Sequence, residues 1–87
     1  KGGSASGSFI ANGCQISGSV KNSIIGRGSV IGKGAKIENC VIMSDVVIGE
    51  DAILKNVIID KHSKVLKKKE LIGNAEDPLY IGRRENV

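Results

Sequence analysis

Val20-Lys21-Asn22-Ser23-Ile24-Ile25, Ile37-Glu38-Asn39-Cys40-Val41-Ile42 and Leu54-Lys55-Asn56-Val57-Ile58-Ile59 are one short block written three times. Each copy begins 17 residues after the last, with an aliphatic residue first, Asn third and an aliphatic pair at its end. Between the blocks lie Ile25-Gly26-Arg27-Gly28-Ser29-Val30, Ile31-Gly32-Lys33-Gly34-Ala35-Lys36 and Ile48-Gly49-Glu50-Asp51-Ala52-Ile53. The anchors of this pattern are Ile25, Ile31, Ile37, Ile42, Ile48, Leu54, Ile59 and Val65, spaced 6, 6, 5, 6, 6, 5 and 6. A second column, four residues after each anchor, reads Ser29, Ala35, Val41, Val46, Ala52, Ile58 and Ser63.

A period near six with three segments per 17 residues describes a triangular coil. Each segment is a short strand with its anchor pointing inward, followed by a corner, and successive coils stack as parallel strands about 4.8 Å apart. One coil cannot bury its apolar face alone, so the columns of anchors hold the stack together. Spacings of six and five fit no helical period. An open sandwich needs longer alternating strands joined by hairpins, and Asn12-Gly13 sits inside a six-residue unit rather than between two strands. The expected fold is therefore all-β, a single-domain parallel β-helix of hexapeptide repeats.

The register frays at both ends. Ile10 to Gln15 and Ile16 to Lys21 read as hexads, but Ile16 stands nine residues before Ile25, which implies a shortened or slipped side. After Val65 the pattern gives way to lysines, then to strand-like Leu71-Ile72-Gly73, a turn at Asn74 to Pro78, and Leu79-Tyr80-Ile81. The expected organisation is a flexible N-terminal segment or linker over residues 1–7, β-helix coils over 8–66 and a capping segment over 67–87.

Composition agrees and excludes several functions. The 87 residues include 13 Ile, 8 Val and 12 Gly but only two aromatics, Phe9 and Tyr80, a β-branched, glycine-punctuated make-up. A chain of this size buries about 60% of the surface it exposes unfolded, which leaves little room for a large enclosed site. No run approaches the ~18 apolar residues of a membrane span, and Lys1 to Ser8 does not read as a signal peptide. The net charge of +4 gathers in Lys61, Lys64, Lys67, Lys68 and Lys69, read as a solvated segment. With two aromatics there is no base-stacking platform, so no nucleic-acid partner is expected. Cys14 and Cys40 form neither a disulfide framework nor a metal pair. They read as reduced cysteines, and the expected location is the cytoplasm.

The hexads resemble the hexapeptide repeat of the left-handed parallel β-helix, and the resemblance, not the spacing, supplies the hand. Ser8-Phe9-Ile10-Ala11-Asn12-Gly13-Cys14, continuing to Ile16-Ser17-Gly18-Ser19-Val20, together with Asn22-Ser23-Ile24-Ile25, Val41-Ile42-Met43 and Ile58-Ile59-Asp60-Lys61, is similar to the C-terminal β-helix domain of bacterial glucose-1-phosphate adenylyltransferase (ADP-glucose pyrophosphorylase) of glycogen biosynthesis. The tail, Leu71 to Ile81, resembles the ending of the GlgD-type paralogue, a partner subunit of the catalytic enzyme, and favours that subunit over the catalytic one. The resemblance implies a catalytic domain in cis, N-terminal to this one, and a homo- or hetero-oligomer with the catalytic adenylyltransferase subunit. It also implies a share in an allosteric site for phosphorylated metabolites. It carries over no catalytic residue, cofactor or metal, because the family's Gly-rich ATP loop has no counterpart here: Gly26-Arg27-Gly28 and Gly32-Lys33-Gly34 fall in corners.

Three sets of residues are candidates for function. Arg27, Lys33, Arg83 and Arg84 carry guanidinium or ammonium groups suited to an anionic effector. Val30 and Val47, and Ile53 on the next face, precede anchors and point outward as an expected interface. The alternative is a hexapeptide-repeat acyltransferase, with His62, the sole histidine, as general base and Asp60 orienting it. A three-histidine metal site fails on count.

Overall fold

The computed structural model describes residues 3–87 and contains strands but no helix. Coil by coil, the strands are β1 (Ser4–Ser6), β2 (Phe9–Ile10) and β3 (Gln15–Ile16); β4 (Ser19–Lys21), β5 (Ile24–Ile25) and β6 (Val30–Ile31); β7 (Lys36–Glu38), β8 (Val41–Ile42) and β9 (Val47–Ile48); β10 (Ile53–Lys55), β11 (Val57–Ile59) and β12 (Lys64–Val65); and finally β13 (Glu70–Ile72) and β14 (Leu79–Ile81). Every third strand pairs, in parallel, giving three sheets in the orders β1-β4-β7-β10-β13, β2-β5-β8-β11-β14 and β3-β6-β9-β12. We call these the first, second and third faces of a β-solenoid. The all-β hexapeptide-repeat architecture read from the spacing is the one observed.

All eight anchors are buried, none more than 2% exposed. Each fully buried Ile or Leu contributes about 1.5–3 kcal/mol relative to its exposed state. A ninth, Val20, pairs with Ile37 and is equally buried. It locates the shortened side of the first coil between Ile16 and Val20, four residues in place of six.

The second column needs correcting. The residues that share the interior with the anchors are Ser23, Ser29, Ala35, Cys40, Val46, Ala52, Val57 and Ser63. Each lies two residues before the next anchor, as the alternation of a strand demands. Counting four forward from an anchor gives the same residue on a six-residue side. On a five-residue side it overshoots by one, to Val41 and Ile58, which precede anchors and face outward.

Corners obey a third rule. Eleven described residues have left-handed backbone, from Gly7 to Arg84, and each stands three positions before an inward residue. The repeated Asn of the 17-residue block is this residue: Asn22, Asn39 and Asn56 have φ of 50°, 54° and 55°, a region Asn enters at less cost than most side chains. Gly26 answers to a different need. A Cβ there would lie 2.5 Å from the Met43 carbonyl carbon of the next coil.

Interior serines satisfy the backbone on narrow and wide sides alike. Ser23 Oγ donates to Lys21 O at 2.8 Å and accepts from Cys40 N–H at 3.0 Å, and Ser29 Oγ links Met43 O and Val46 N–H in the same way. No buried side-chain N or O atom among the described residues lacks a partner.

Both ends differ from expectation. Within the segment read as a linker, Ser4–Ser6 pairs with Ser19–Lys21. Ala5 occupies an anchor position too small to stand out in the sequence, and residues 1 and 2 of that segment lie outside the described residues. At the other end β13 and β14 extend the first two faces, so residues 67–87 continue the coil. Its period was hidden because ten residues separate Leu71 from Ile81, where five separate Leu54 from Ile59. The extra residues form a loop closed by an Asn74–Asp77 bridge. Six residues beyond Ile81, Val87 packs against the core, and Asn86 bridges to Lys64.

The revised register makes a direct prediction. Ile42→Ala should lower unfolding stability by about 2–5 kcal/mol, whereas Val41→Ala, one residue earlier, should cost about 1 kcal/mol or less. Urea unfolding of the two variants decides it; equal losses would contradict the outward placement of Val41.

Candidate functional site

The corner after the second face collects most of the candidate side chains. Asn12, Arg27, Ser44, Lys61 and Arg83 fall in one column, two residues after the inward residues Ile10, Ile25, Ile42, Ile59 and Ile81. The column is held by coil-to-coil bonds such as Asp45 N–H to Arg27 O at 2.9 Å and Arg84 N–H to Lys61 O at 3.0 Å. Arg27 and Arg83 are therefore on one edge with Lys61 between them, all exposed, and Arg84 follows in left-handed backbone at φ 60°. Lys33 belongs to the other type of six-residue corner, between the third and first faces, and does not join them. Lys61, which the sequence reading left among solvated charges, is the cation that links the two arginines.

His62 is exposed and occupies the left-handed corner position at φ 62°, where its N–H donates to Ser44 O at 3.1 Å. Its Nδ1 lies 3.8 Å from Asp45 Oδ2 of the coil below. Asp60 does not orient it, contrary to the acyltransferase expectation. One Asp60 carboxylate oxygen accepts the Lys61 N–H at 2.7 Å, and the other accepts the Tyr80 hydroxyl at 2.6 Å. The Tyr80 bond, followed by that of Lys61, holds the Asp60 carboxyl below the usual aspartate range, and the same bond to Asp60 pushes the Tyr80 hydroxyl above the usual tyrosine range. Tyr80 was read only as part of a closing strand; its register opposite Ile58 brings it beside Asp60.

The first face carries a second cationic feature that the sequence reading missed. Lys21, Lys36 and Lys55 line an open cleft of about 380 Å³ with Glu38 and Ile53. Lys55 Nζ is 3.9 Å from Glu38 Oε1, so part of that charge is already answered. The signal was available: Lys21, Glu38 and Lys55 hold the same place in the 17-residue block.

Of the expected interface residues, Val30 and Val47 pair on the outer side of the third face and Ile53 lies on the first, all half-buried. Of the exposed large apolar residues, Phe9, Ile24, Val41 and Tyr80 lie on the second face, where with half-buried Ile58 they are paired in sequence across all five strands, and Leu66, Ile72 and Leu79 are exposed as well. Phe9 is 67%, Ile24 51% and Tyr80 57% exposed. The two cysteines carry no site. Cys40 is buried, which pushes its thiol up, and Cys14 Sγ donates to Gly26 O. No group of three or more His, Cys, Asp or Glu suited to a metal ion occurs among the described residues, and they form no helix long and apolar enough to cross a membrane.

A family model described as GlmU-like, C-terminal hexapeptide matches residues 1–78. No curated protein and no solved structure matches the chain.

The Tyr80–Asp60 bond predicts a pH dependence. With its pKa lowered on folding, Asp60 stabilises above the usual aspartate pKa, and that contribution is lost as pH falls through the lowered value. With its pKa raised, Tyr80 stabilises below the usual tyrosine pKa, and that contribution is lost as pH rises through the raised value. Tyr80→Phe should move the Asp60 titration, followed by carboxyl NMR, up toward the usual range. Its deficit in thermal midpoint should stay constant between about pH 5 and 9 and shrink outside that window. An unmoved Asp60 titration would show that the bond does not form in solution.

Proposed function

The chain belongs to the GlmU-like C-terminal hexapeptide family, and from that premise we propose that it serves as the assembly and regulatory domain of a glucose-1-phosphate adenylyltransferase-type protein of glycogen biosynthesis, with the GlgD-type subunit favoured, and has no catalysis of its own. Hexapeptide proteins related to nucleotidyltransferases and hexapeptide acyltransferases both fall within what the family allows. The observation that favours the first is the environment of His62. A general base must lie within hydrogen-bond reach of the proton it takes, and is commonly oriented by a third group. Here Asp60 is committed to Tyr80 and Lys61, Asp45 stands 3.8 Å away, and His62 supplies the left-handed backbone of a corner.

In this reading the domain works in the cytoplasm, packs against a catalytic domain in cis and joins a homo- or hetero-oligomer with catalytic subunits. Arg27, Arg83 and Arg84 receive part of a phosphorylated effector, with Lys33 a separate contact on another edge. The resemblance of residues 8–66 and of the tail to that protein's C-terminal domain supports this, as does the shared edge of Arg27, Lys61 and Arg83. Guanidinium groups in one column suit phosphate oxygens through paired, charge-assisted bonds.

The deciding experiment is to read the native gene upstream of Lys1. An encoded nucleotidyltransferase domain with an intact Gly-rich ATP loop makes the parent a working adenylyltransferase. The same domain with a degraded loop makes it the partner subunit, and a frame that opens near Lys1 overturns the reading. In the parent assembly, Arg27→Ala combined with Arg83→Ala should raise the half-saturating concentration of a phosphorylated effector by about tenfold. His62→Asn should leave the turnover of the adenylyl-transfer assay unchanged. An unaltered effector response in the double variant would remove these arginines from the effector site.

A further inference from the structure

The three outer faces face the same solvent and are built on the same strand geometry, yet only one is apolar along its whole length. Outward residues directly before the anchors read Ser19, Lys36, Ile53 and Glu70 on the first face and Gln15, Val30, Val47 and Lys64 on the third. On the second face they read Phe9, Ile24, Val41, Ile58 and Tyr80. At about 4.8 Å per strand this row is about 19 Å long. With side chains of this size, its exposed surface is about 450 Å², the size of the largest apolar patch on a typical monomer, which is often functional.

We propose that the second face binds the second face of another copy of this chain, about a two-fold axis parallel to the solenoid axis. The proposal rests on the assembly role given above and assigns its surface and symmetry. Three observations choose this occupant. First, a contact that uses the same patch on both partners needs one apolar face, whereas a closed ring of three prisms needs two different complementary faces. One face alone meets the requirement. Second, about 450 Å² of apolar row plus its polar rim approaches the ~800 Å² per partner of a standard stable interface when it meets a surface of equal length and character. A second copy provides that by construction.

Third, charge fixes the direction. The row is flanked on one side by the Arg27, Lys61 and Arg83 column and on the other by the Asn22, Asn39 and Asn56 corners. Packing two copies antiparallel sets the basic columns against each other, with Arg27 opposite the partner's Lys61. Packing them parallel sets each basic column against the partner's neutral asparagines, whose side-chain carbonyls accept hydrogen bonds. In that arrangement each residue of the row meets its own counterpart, and the two basic columns stay apart.

Sedimentation equilibrium of the 87-residue chain tests this, since its mass of 9.1 kDa separates the states cleanly. The expected result is a concentration-dependent dimer, and at least a tenfold weaker association for Ile24→Glu and for Val41→Glu. Both replace outward side chains, and circular dichroism should show their folds unchanged. Direction is read from Ile24→Cys, which should form a disulfide dimer in oxidising buffer when the wild type does not. Parallel packing brings the two introduced thiols together, whereas antiparallel packing places each opposite the partner's Ile58. A wild-type chain that remains monomeric at several hundred micromolar overturns the proposal, as does a trimer. A dimer indifferent to both Glu substitutions also overturns it, while leaving assembly as the role of the domain and placing the contact on another face. Cross-linking only between Ile24→Cys and Ile58→Cys chains overturns the parallel axis.

Discussion

Eleven corners of this solenoid each depend on one residue that turns the chain left-handed three positions before the next inward side chain, while those leading to Val20, Leu71 and Ile81 do without one. For an L-residue other than Gly that conformation costs about 1–2 kcal/mol, less for Asn and Asp. The chain meets the requirement in two ways. Narrow five-residue corners use Asn, at Asn22, Asn39 and Asn56, while wide corners use Gly28, Gly34, Asp45 and Asp51. Toward the C-terminus the position passes to His62, another residue enriched in this region, and to Arg84, which is not. They are held there by the ladder: His62 N–H donates to Ser44 O, and Arg84 N–H to Lys61 O. Stacking, once established over favourable corners, carries less favourable ones.

That dependence explains why the interior is so uniform. With the corner fixed three residues ahead of each anchor, the residue between them, two before the anchor, must also point inward. It must be small or branched, or else supply a polar atom that answers the neighbouring coil. Ser23, Ser29 and Ser63 do the latter, each accepting a backbone N–H from the coil above while donating to a carbonyl. His62 belongs to the same frame, one residue before interior Ser63 and in the left-handed corner position.

What was legible in the sequence was the part that repeats. Eight anchors could be placed because Ile, Leu and Val recur at five and six residues with nothing else competing for those positions. Ala5, which holds an anchor position too small to register as one, was not visible. The strands of the last coil were read at Leu71 to Gly73 and Leu79 to Ile81, but not their place in the register, because a five-residue insertion between Leu71 and Ile81 breaks the count. Counting backward from each anchor, as the strand's alternation requires, adds Cys40 and Val57 to the interior. The rule that the residue before an anchor points outward holds for Val41 and Ile58 as well, but it was followed only on the faces of Val30, Val47 and Ile53, which neighbours half cover. The second face, where the same rule gives Ile24, Val41 and Ile58, was left unread. The meeting of Asp60 with Tyr80 was beyond reach for a related reason, since it depends on the register of a strand that lies past the insertion.

The composition of the second face cannot be assigned to folding. Strands favour β-branched and aromatic residues even where they face water, because such side chains pack well on a pleated surface. That preference alone would account for Ile24, Val41 and Ile58. But the first and third faces are subject to the same preference, at the same strand length and in the same parallel pairing, and they accept Ser19, Lys36 and Glu70, and Gln15 and Lys64, at the equivalent positions. Solvation acts equally on all three and opposes an apolar row wherever it occurs. What distinguishes the second face is therefore not the solenoid's own stability, which the buried columns supply without it. The face also retains Phe9 and Tyr80, the chain's only two aromatics, at the two ends of its row. Large side chains placed outward at both ends of one face, and on neither of the others, point to a constraint that comes from outside the fold.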